Sequence, residues 1–183
     1  MADQLSSLPE YQTATRISAY LSMPKGELST DLIVHNAFRQ GKEVFVPYLY
    51  KPASPEPGVP SSVMDMVSLH SEEDYEALEP DAWGIPTPSH DSIIDRKRCL
   101  GDTDGAKNEF RNLQLIIMPG VAFDKGLARL GHGKGFYDFF LQRYEQRSVE
   151  ATSETRMPFL GKAFFVLWSL IGYLIDCAQS DSH

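Results

Sequence analysis

Cysteine and basic residues are both scarce in this chain of 183 residues. Its two cysteines, Cys99 and Cys177, exclude a disulfide-stapled scaffold and a cysteine-ligated zinc site. Lysine and arginine number 17 against 25 acidic residues, giving a net charge of −8. A chain with this balance is not a general polyanion binder, so we expect no nucleic-acid partner, although one local basic patch could still hold a phosphate.

The sequence also lacks an apolar run of the roughly 20 residues that a membrane-spanning helix needs. The longest uncharged apolar run covers residues 163–175, where we expect a buried strand or helix, with a hydrophobic anchor and a poorly folded tail as alternatives. Residues 1–9 contain neither a basic nor an apolar leader segment. With so few cysteines, this predicts a reducing interior compartment: the cytoplasm, with a mitochondrial location left open.

What is present is an ordinary globular composition, 42% hydrophobic and 23% charged, at a length that favours one domain. Strands are predicted over residues 16–23, 43–48, 64–69 and 113–118, the last being a nearly continuous apolar run. Helices are predicted from Ser29 or Thr30 to about residue 40, after Ser71, and from Lys134 to about residue 146. This alternation predicts a three-layer α/β/α domain with a mainly parallel sheet and the strand 113–118 at its centre.

The segment 118–144 combines the features of an anion site. A glycine-rich loop containing Gly131, Gly133 and Gly135 follows the best strand and leads into a helix, so it should lie at the carboxyl edge of the sheet. Glycines let the backbone approach a bulky anion, and a helix N-terminus offers free N–H groups. The loop is neither a Walker A loop nor a dinucleotide fingerprint, and glycines at this spacing also serve simply to make a loop flexible.

Asp138 and three histidines can be interpreted from the sequence alone. Asp138, one turn into the helix, could hold Mg²⁺ beside a phosphate or be a solvated helix residue. His35, His70 and His90 show no partner pattern and are interpreted as structural or exposed.

Five blocks in order identify the chain as similar to a known family: YLSMPKGELST (20–30), GKEVFVPYL (41–49), MDMVSL (64–69), WGIPTP (83–88) and MPGVAFDKGLARLGHGKGFYDFFL (118–141). Over residues 11–160 it resembles the 5-formyltetrahydrofolate cyclo-ligases, and RLGHGKGFYD is the most specific stretch. The resemblance implies an ATP- and Mg²⁺-dependent ligase that converts 5-formyltetrahydrofolate to 5,10-methenyltetrahydrofolate and releases ADP and phosphate. In that chemistry the γ-phosphoryl group is transferred to the formyl oxygen, after which N10 closes the ring. Such a transfer depends mainly on positioning and charge neutralisation.

The resemblance also implies the site residues. Arg129 and Lys134 correspond to the residues that neutralise the transferred phosphate, and Asp138 corresponds to the Mg²⁺ ligand. The ATP-binding loop corresponds to Arg129, Leu130, Gly131, His132, Gly133, Lys134, Gly135, Phe136 and Tyr137, of which residues 132–136 also border the folate.

The folate contacts implied by the resemblance lie in two further blocks. Leu21 and Glu27 correspond to folate-contacting residues, and the Glu27 carboxylate would suit the N–H edge of the pterin. Trp83 stands where the family has an aromatic residue near the folate. Without the resemblance, Glu27 would be interpreted as a carboxylate that caps the helix at Thr30, and Trp83 as a core residue.

The chain departs from the family pattern at both ends. Family members begin with a basic helix that reaches the phosphates, whereas none of the ten residues before Tyr11 is basic, and residues 161–183 match nothing in the family. We therefore expect a cyclo-ligase-like domain over residues 11–160 with an atypical apolar tail, as in a splice form or a mispredicted gene model. The expected protein is a monomer with weak or absent turnover. The alternatives are a folate- or nucleotide-binding remnant and a partner- or membrane-associated protein that uses the tail.

Overall fold

The computed structural model describes residues 2–25, 27–52, 58–101, 109–123, 129–131 and 133–152. Its helices are α1 (Ala2–Ser6), α2 (Pro9–Thr13), α3 (Asp31–Arg39), α4 (Glu72–Glu76) and α5 (Phe136–Thr152), with a 3₁₀ turn at Asp91–Asp95. Its strands are β1 (Arg16–Ala19), β2 (Glu43–Tyr50), β3 (Val63–Ser68), β4 (Glu79–Pro80), β5 (Pro86–Thr87), β6 (Leu115–Ile117), β7 (Ala122–Phe123) and β8 (Arg129–Leu130).

The main sheet has the strand order β3-β2-β1-β6. β1 pairs in parallel with β2 and with β6, so that Ile17 lies between Val44 and Leu115, while β3 joins β2 in the antiparallel sense. Two small antiparallel ribbons, β4-β5 and β7-β8, lie outside it. The predicted α/β class with a mainly parallel sheet is confirmed.

The predicted central position of the strand 113–118 is wrong for the described part of the chain, because β6 ends the four-stranded order there. Its residues are nevertheless fully buried, as the apolar run predicts. Tyr144 of α5 anchors the chain just before the strand: its hydroxyl accepts from the Leu113 N–H at 2.8 Å and donates to Asn112 Oδ1 at 2.7 Å. An edge strand with both faces buried needs the same apolar sequence as a central one.

The helices bury the faces that their periodicity predicts. α3 packs on β2 through Ile33, Val34 and Ala37, and α5 packs on β3. Phe140 and Tyr144 of α5 are completely enclosed, and both belong to one continuous core with the strands. The helix periodicity predicted for residues 134–146 is therefore confirmed.

The start of α3 ties a loop to the sheet. Thr30 is the residue before the helix, as predicted, but its side chain does not cap the helix. Its hydroxyl donates instead to the Tyr20 carbonyl at 2.6 Å, and both groups are buried. This bond fixes the segment between β1 and α3 against the carboxyl end of β1.

The predicted apolar tail, residues 161–183, and the boundary at residue 160 lie outside the described residues. Among the helices that the structure describes, none combines the length and the apolar character needed to cross a membrane.

Candidate functional site

Two loops leave the sheet side by side at the carboxyl ends of β1 and β6. The strands are parallel neighbours, and the Tyr20 N–H donates to the Ile117 carbonyl at 3.2 Å just where both end. The loop after β1 carries Leu21 and Glu27, and the loop after β6 carries the glycines and leads into α5. The predicted site segments therefore meet at the edge where α/β sheets bind ligands.

Arg129 is the central charged group of the second loop. Its side chain is only 6% exposed, and its Nη2 lies 2.8 Å from Oδ1 of Asp138. Nη1 donates to the Pro119 carbonyl at 3.4 Å, and the guanidinium lies over the Tyr137 ring, 5.5 Å from its centroid. Its buried Nε has no acceptor among the described residues. Arg129 therefore holds the loop, the β6 terminus and the first turn of α5 together, while its buried Nε stays unpaired among the described residues.

Tyr137 joins this group to the first loop. Burial raises the pKa of its hydroxyl well above the usual range, the positive Arg129 opposes that shift, and the negative Glu27 adds to it. Burial, with a further contribution from Glu27, also raises the pKa of Tyr20 to about 12. The charge of Glu27, in the first loop, thus acts on the hydroxyl of Tyr137, more than a hundred residues later in the chain.

Glu27 contacts its own turn rather than α3. Its Oε2 accepts from the Met23 N–H at 2.9 Å, so the alternative of a cap on the helix at Thr30 is wrong. Leu21, two residues after β1, is buried in the core. The Glu27 carboxylate is thus held in place by the backbone.

The Trp83 loop lies against the same turn. Gly84 has φ +79°, and a Cβ added there would stand 2.9 Å from Cγ of Pro24. Asp81 closes the loop by accepting from the Trp83 N–H at 2.8 Å. Trp83 is 70% exposed, so its interpretation as a core residue is wrong. An exposed indole beside the Glu27 turn is available to stack on a planar ligand.

The three glycines of the second loop have different structural roles. Gly133 and Gly135 have φ +78° and +68°, a conformation that favours glycine, and the space where a Cβ would stand is open at both. At Gly131 a Cβ would lie 2.6 Å from Arg129 Nη1, so this glycine makes room for the arginine. His132 lies outside the described residues.

The remaining predicted residues of the loop surround the start of α5. Lys134 and Leu130 are exposed, and Phe136 is partly buried against the core. α5 has 17 residues, and the N–H groups of its first turn have no partner within the helix. Free N–H groups, an exposed ammonium and open space above two glycines form an arrangement that accepts an anion.

Sequence reasoning missed two features of this site. The first is the ribbon β7-β8, which pairs Phe123 with Arg129, whereas the glycine pattern predicts only a loop there. A turn signal, Asp124-Lys125-Gly126 between short apolar stretches, could have indicated a hairpin. The Arg129–Asp138 ion pair was missed because it joins the ribbon to the helix.

Comparisons of the sequence with known proteins point to one enzyme family. The family model for the 5-formyltetrahydrofolate cyclo-ligase family matches residues 1–158. A probable 5-formyltetrahydrofolate cyclo-ligase of Schizosaccharomyces pombe is 36% identical over 154 residues, 84% of this chain and 65% of the relative. The 5-formyltetrahydrofolate cyclo-ligase of Mus musculus is 36% identical over 138 residues, 75% of this chain and 58% of the relative.

A solved structure, the 5,10-methenyltetrahydrofolate synthetase of Aquifex aeolicus, matches with 27% sequence identity and a TM-score of 0.47. That match covers 78% of this chain and 58% of the other. The chain thus spans 58–65% of the length of the two curated relatives described above.

Proposed function

The chain belongs to the 5-formyltetrahydrofolate cyclo-ligase family, and from this premise we propose that it binds 5-formyltetrahydrofolate and Mg·ATP and forms 5,10-methenyltetrahydrofolate, ADP and phosphate. The observation that carries the proposal is that the loop with Glu27 and the loop with Arg129 leave neighbouring parallel strands side by side, where the Tyr20 N–H donates to the Ile117 carbonyl. Two loops with opposite chemistry, one with a carboxylate and one with a phosphate-type cradle, thereby face one site. The reaction needs this combination, because the formyl oxygen of the folate must meet the γ-phosphoryl group of ATP.

The second loop is the proposed phosphate side. The N–H groups at the start of α5, the Lys134 ammonium and the backbone at Gly133 and Gly135 would surround the β- and γ-phosphates. Because phosphoryl transfer is largely a matter of positioning and charge neutralisation, no nucleophilic side chain is required.

Asp138 is the proposed Mg²⁺ ligand. Its side chain is 73% exposed, and a solvated carboxylate fits Mg²⁺, which is held by one or two carboxylates together with waters and substrate phosphates. One of its oxygens is paired with Arg129, so a metal would replace the guanidinium there. When bound, the metal would neutralise charge on the phosphates.

The first loop is the proposed folate side. The Glu27 carboxylate, fixed by the Met23 N–H, would accept from the N–H edge of the pterin. Leu21 would form the floor of this side, and the exposed Trp83 would stack on a ring of the ligand.

The test is turnover of 5-formyltetrahydrofolate with Mg·ATP, followed by the near-ultraviolet absorbance of the product. In a parallel binding measurement, Lys134→Ala should weaken ATP binding by about 10- to 100-fold, the value of a charge-assisted contact. Lys97→Ala is the matched control, because Lys97 pairs with Glu43 at the opposite end of the sheet. Equal losses in the two variants would remove Lys134 from the site.

A second candidate function is ligand binding without turnover by the same fold. The observation that favours it is the neutralisation of Arg129 by Asp138, which leaves Lys134 as the exposed basic side chain of the described loop. Retained binding of folate and ATP without product formation would select this candidate.

We also propose that the protein acts as a cytoplasmic monomer, with a cyclo-ligase-like domain over residues 11–160 and a separate tail over residues 161–183. Light scattering after size-exclusion chromatography measures the oligomeric state, and limited proteolysis followed by mass spectrometry locates the boundary.

A further inference from the structure

A histidine and two glutamates converge between α3 and α4, away from the loops described above. The Nδ1 atom of His35 lies 2.5 Å from Oε1 of Glu72, and Glu76 follows one turn later on the same helix. One ligand atom from each of the three residues lies within 4.8 Å of the other two. From these positions we propose that His35, Glu72 and Glu76 bind a zinc-type divalent cation that joins α3 to α4.

The donor set favours this class of metal. An imidazole nitrogen with two carboxylates suits Zn²⁺, whereas Mg²⁺ prefers oxygen ligands alone. Zn²⁺ bonds to such atoms at about 2.0–2.2 Å, so tetrahedral ligands stand about 3.3 Å apart. The pair His35–Glu72 must open slightly and Glu76 must move inward, and Glu76 is exposed and able to do so. Three protein ligands leave a fourth position for water.

A neighbouring tyrosine restricts the orientation of the His35 ring. Tyr75 meets it edge-on, with ring centroids 5.5 Å apart and planes at 78°. The Tyr75 hydroxyl donates to Asp31 Oδ1 at 2.5 Å, which fixes that tyrosine in turn. The His35 and Glu72 side chains are only 22% and 31% exposed, so the metal would meet partly desolvated ligands. The Tyr75 ring thus restricts rotation of the His35 imidazole.

The positive charge of Arg39 opposes the binding of a cation and provides a test of the proposal. Arg39 Nη2 lies 3.7 Å from the same Glu72 oxygen, and its side chain is 70% exposed. If the cluster is only an ion-pair network, Arg39 is part of it. If the cluster binds a cation, Arg39 competes with that cation.

The experiment titrates the protein with Zn²⁺ alone, in competition with a chromophoric chelator, and records thermal unfolding with and without Zn²⁺. The wild-type chain should bind one Zn²⁺ in this cluster and unfold at a higher temperature when it is bound. His35→Ala and Glu76→Gln should each weaken binding by more than about tenfold and abolish the stabilisation. His70→Ala, which removes an exposed histidine outside the cluster, should change neither.

Arg39→Gln should tighten Zn²⁺ binding by up to about fivefold, the effect of removing a screened surface charge. Glu76 is exposed, so Glu76→Gln keeps the test valid if His35→Ala folds poorly. Equal Zn²⁺ affinity in the wild type, Glu76→Gln and His70→Ala would overturn the proposal, and so would weaker binding in Arg39→Gln. Neither result depends on turnover, so the zinc site and the proposed function fail independently.

Discussion

The stability of this protein should fall as rising pH ionises the buried Asp65. Replacing Asp65 with asparagine should remove this part of the pH dependence. Asp65 lies in β3 and is 2% exposed. Its Oδ1 accepts from the Met66 N–H at 2.7 Å and from the Cys99 thiol at 3.6 Å. Burial raises its pKa to about 6, against the weaker opposing effects of those bonds and of Arg143 and Arg98.

The sign follows from the direction of this shift. A carboxyl whose pKa is raised by folding contributes stability that is fully present below its unfolded pKa of 3.8 and is lost as the pH rises through about 6. A shift of about two units corresponds to about 3 kcal/mol, of which about 2 kcal/mol is lost between pH 4.5 and 7.5. Asparagine keeps the shape and the acceptor for Met66 but cannot ionise.

The assay is urea unfolding followed by circular dichroism at pH 4.5 and at pH 7.5. The unfolding free energy of Asp65→Asn minus that of the wild type should be about 2 kcal/mol larger at pH 7.5 than at pH 4.5. Asp95→Asn, at an exposed carboxylate, should keep the wild-type dependence. A difference between wild type and Asp65→Asn that stays constant with pH would refute the reasoning.

Three further substitutions test the site and its support. Asp138→Asn should raise the Mg²⁺ concentration needed for ATP binding and leave folate binding nearly intact; an unchanged Mg²⁺ titration would make Asp138 an ordinary surface residue. Gly135→Ala (φ +68°) should lose about 1–2 kcal/mol of stability and also ATP affinity, whereas Gly41→Ala (φ +69°) should lose stability alone, as measured by thermal unfolding and calorimetry. Asp74→Ala should lower the unfolding free energy in urea by about 3–5 kcal/mol, because the Arg96 side chain, 3% exposed, would be left buried without its carboxylate; a loss below about 1 kcal/mol would contradict this.

The end of α3 and the start of α4 could be predicted because their signals are local. α3 ends before Gly41, whose φ of +69° suits a glycine. α4 begins after Ser71, whose hydroxyl accepts from the Asp74 N–H at 3.2 Å. Each signal lies within a few residues of the boundary that it sets, and no distant part of the chain is needed to interpret it.

The position of β6 in the sheet could not be predicted in the same way. Its apolar residues indicate that both faces of the strand are buried. They do not show which strands pair with its two edges. β6 pairs with β1, about a hundred residues earlier in the chain, and this pairing sets its place. The hydrophobic pattern therefore predicted burial correctly and neighbour order incorrectly.

The choice of side-chain partners is the part of the site that residue type does not encode. Arg129 and Asp138 each fit a ligand when taken singly, yet the fold places them 2.8 Å apart, where they neutralise each other. Mg·ATP carries both charges that could replace this pair: the metal would take the carboxylate and a phosphate would take the guanidinium. Mg²⁺ alone would leave the mostly buried guanidinium without its carboxylate, and ATP alone would leave the Asp138 carboxylate unpaired beside the phosphates. Under the proposed function, metal and nucleotide should therefore bind together, each weakening when the other is withheld.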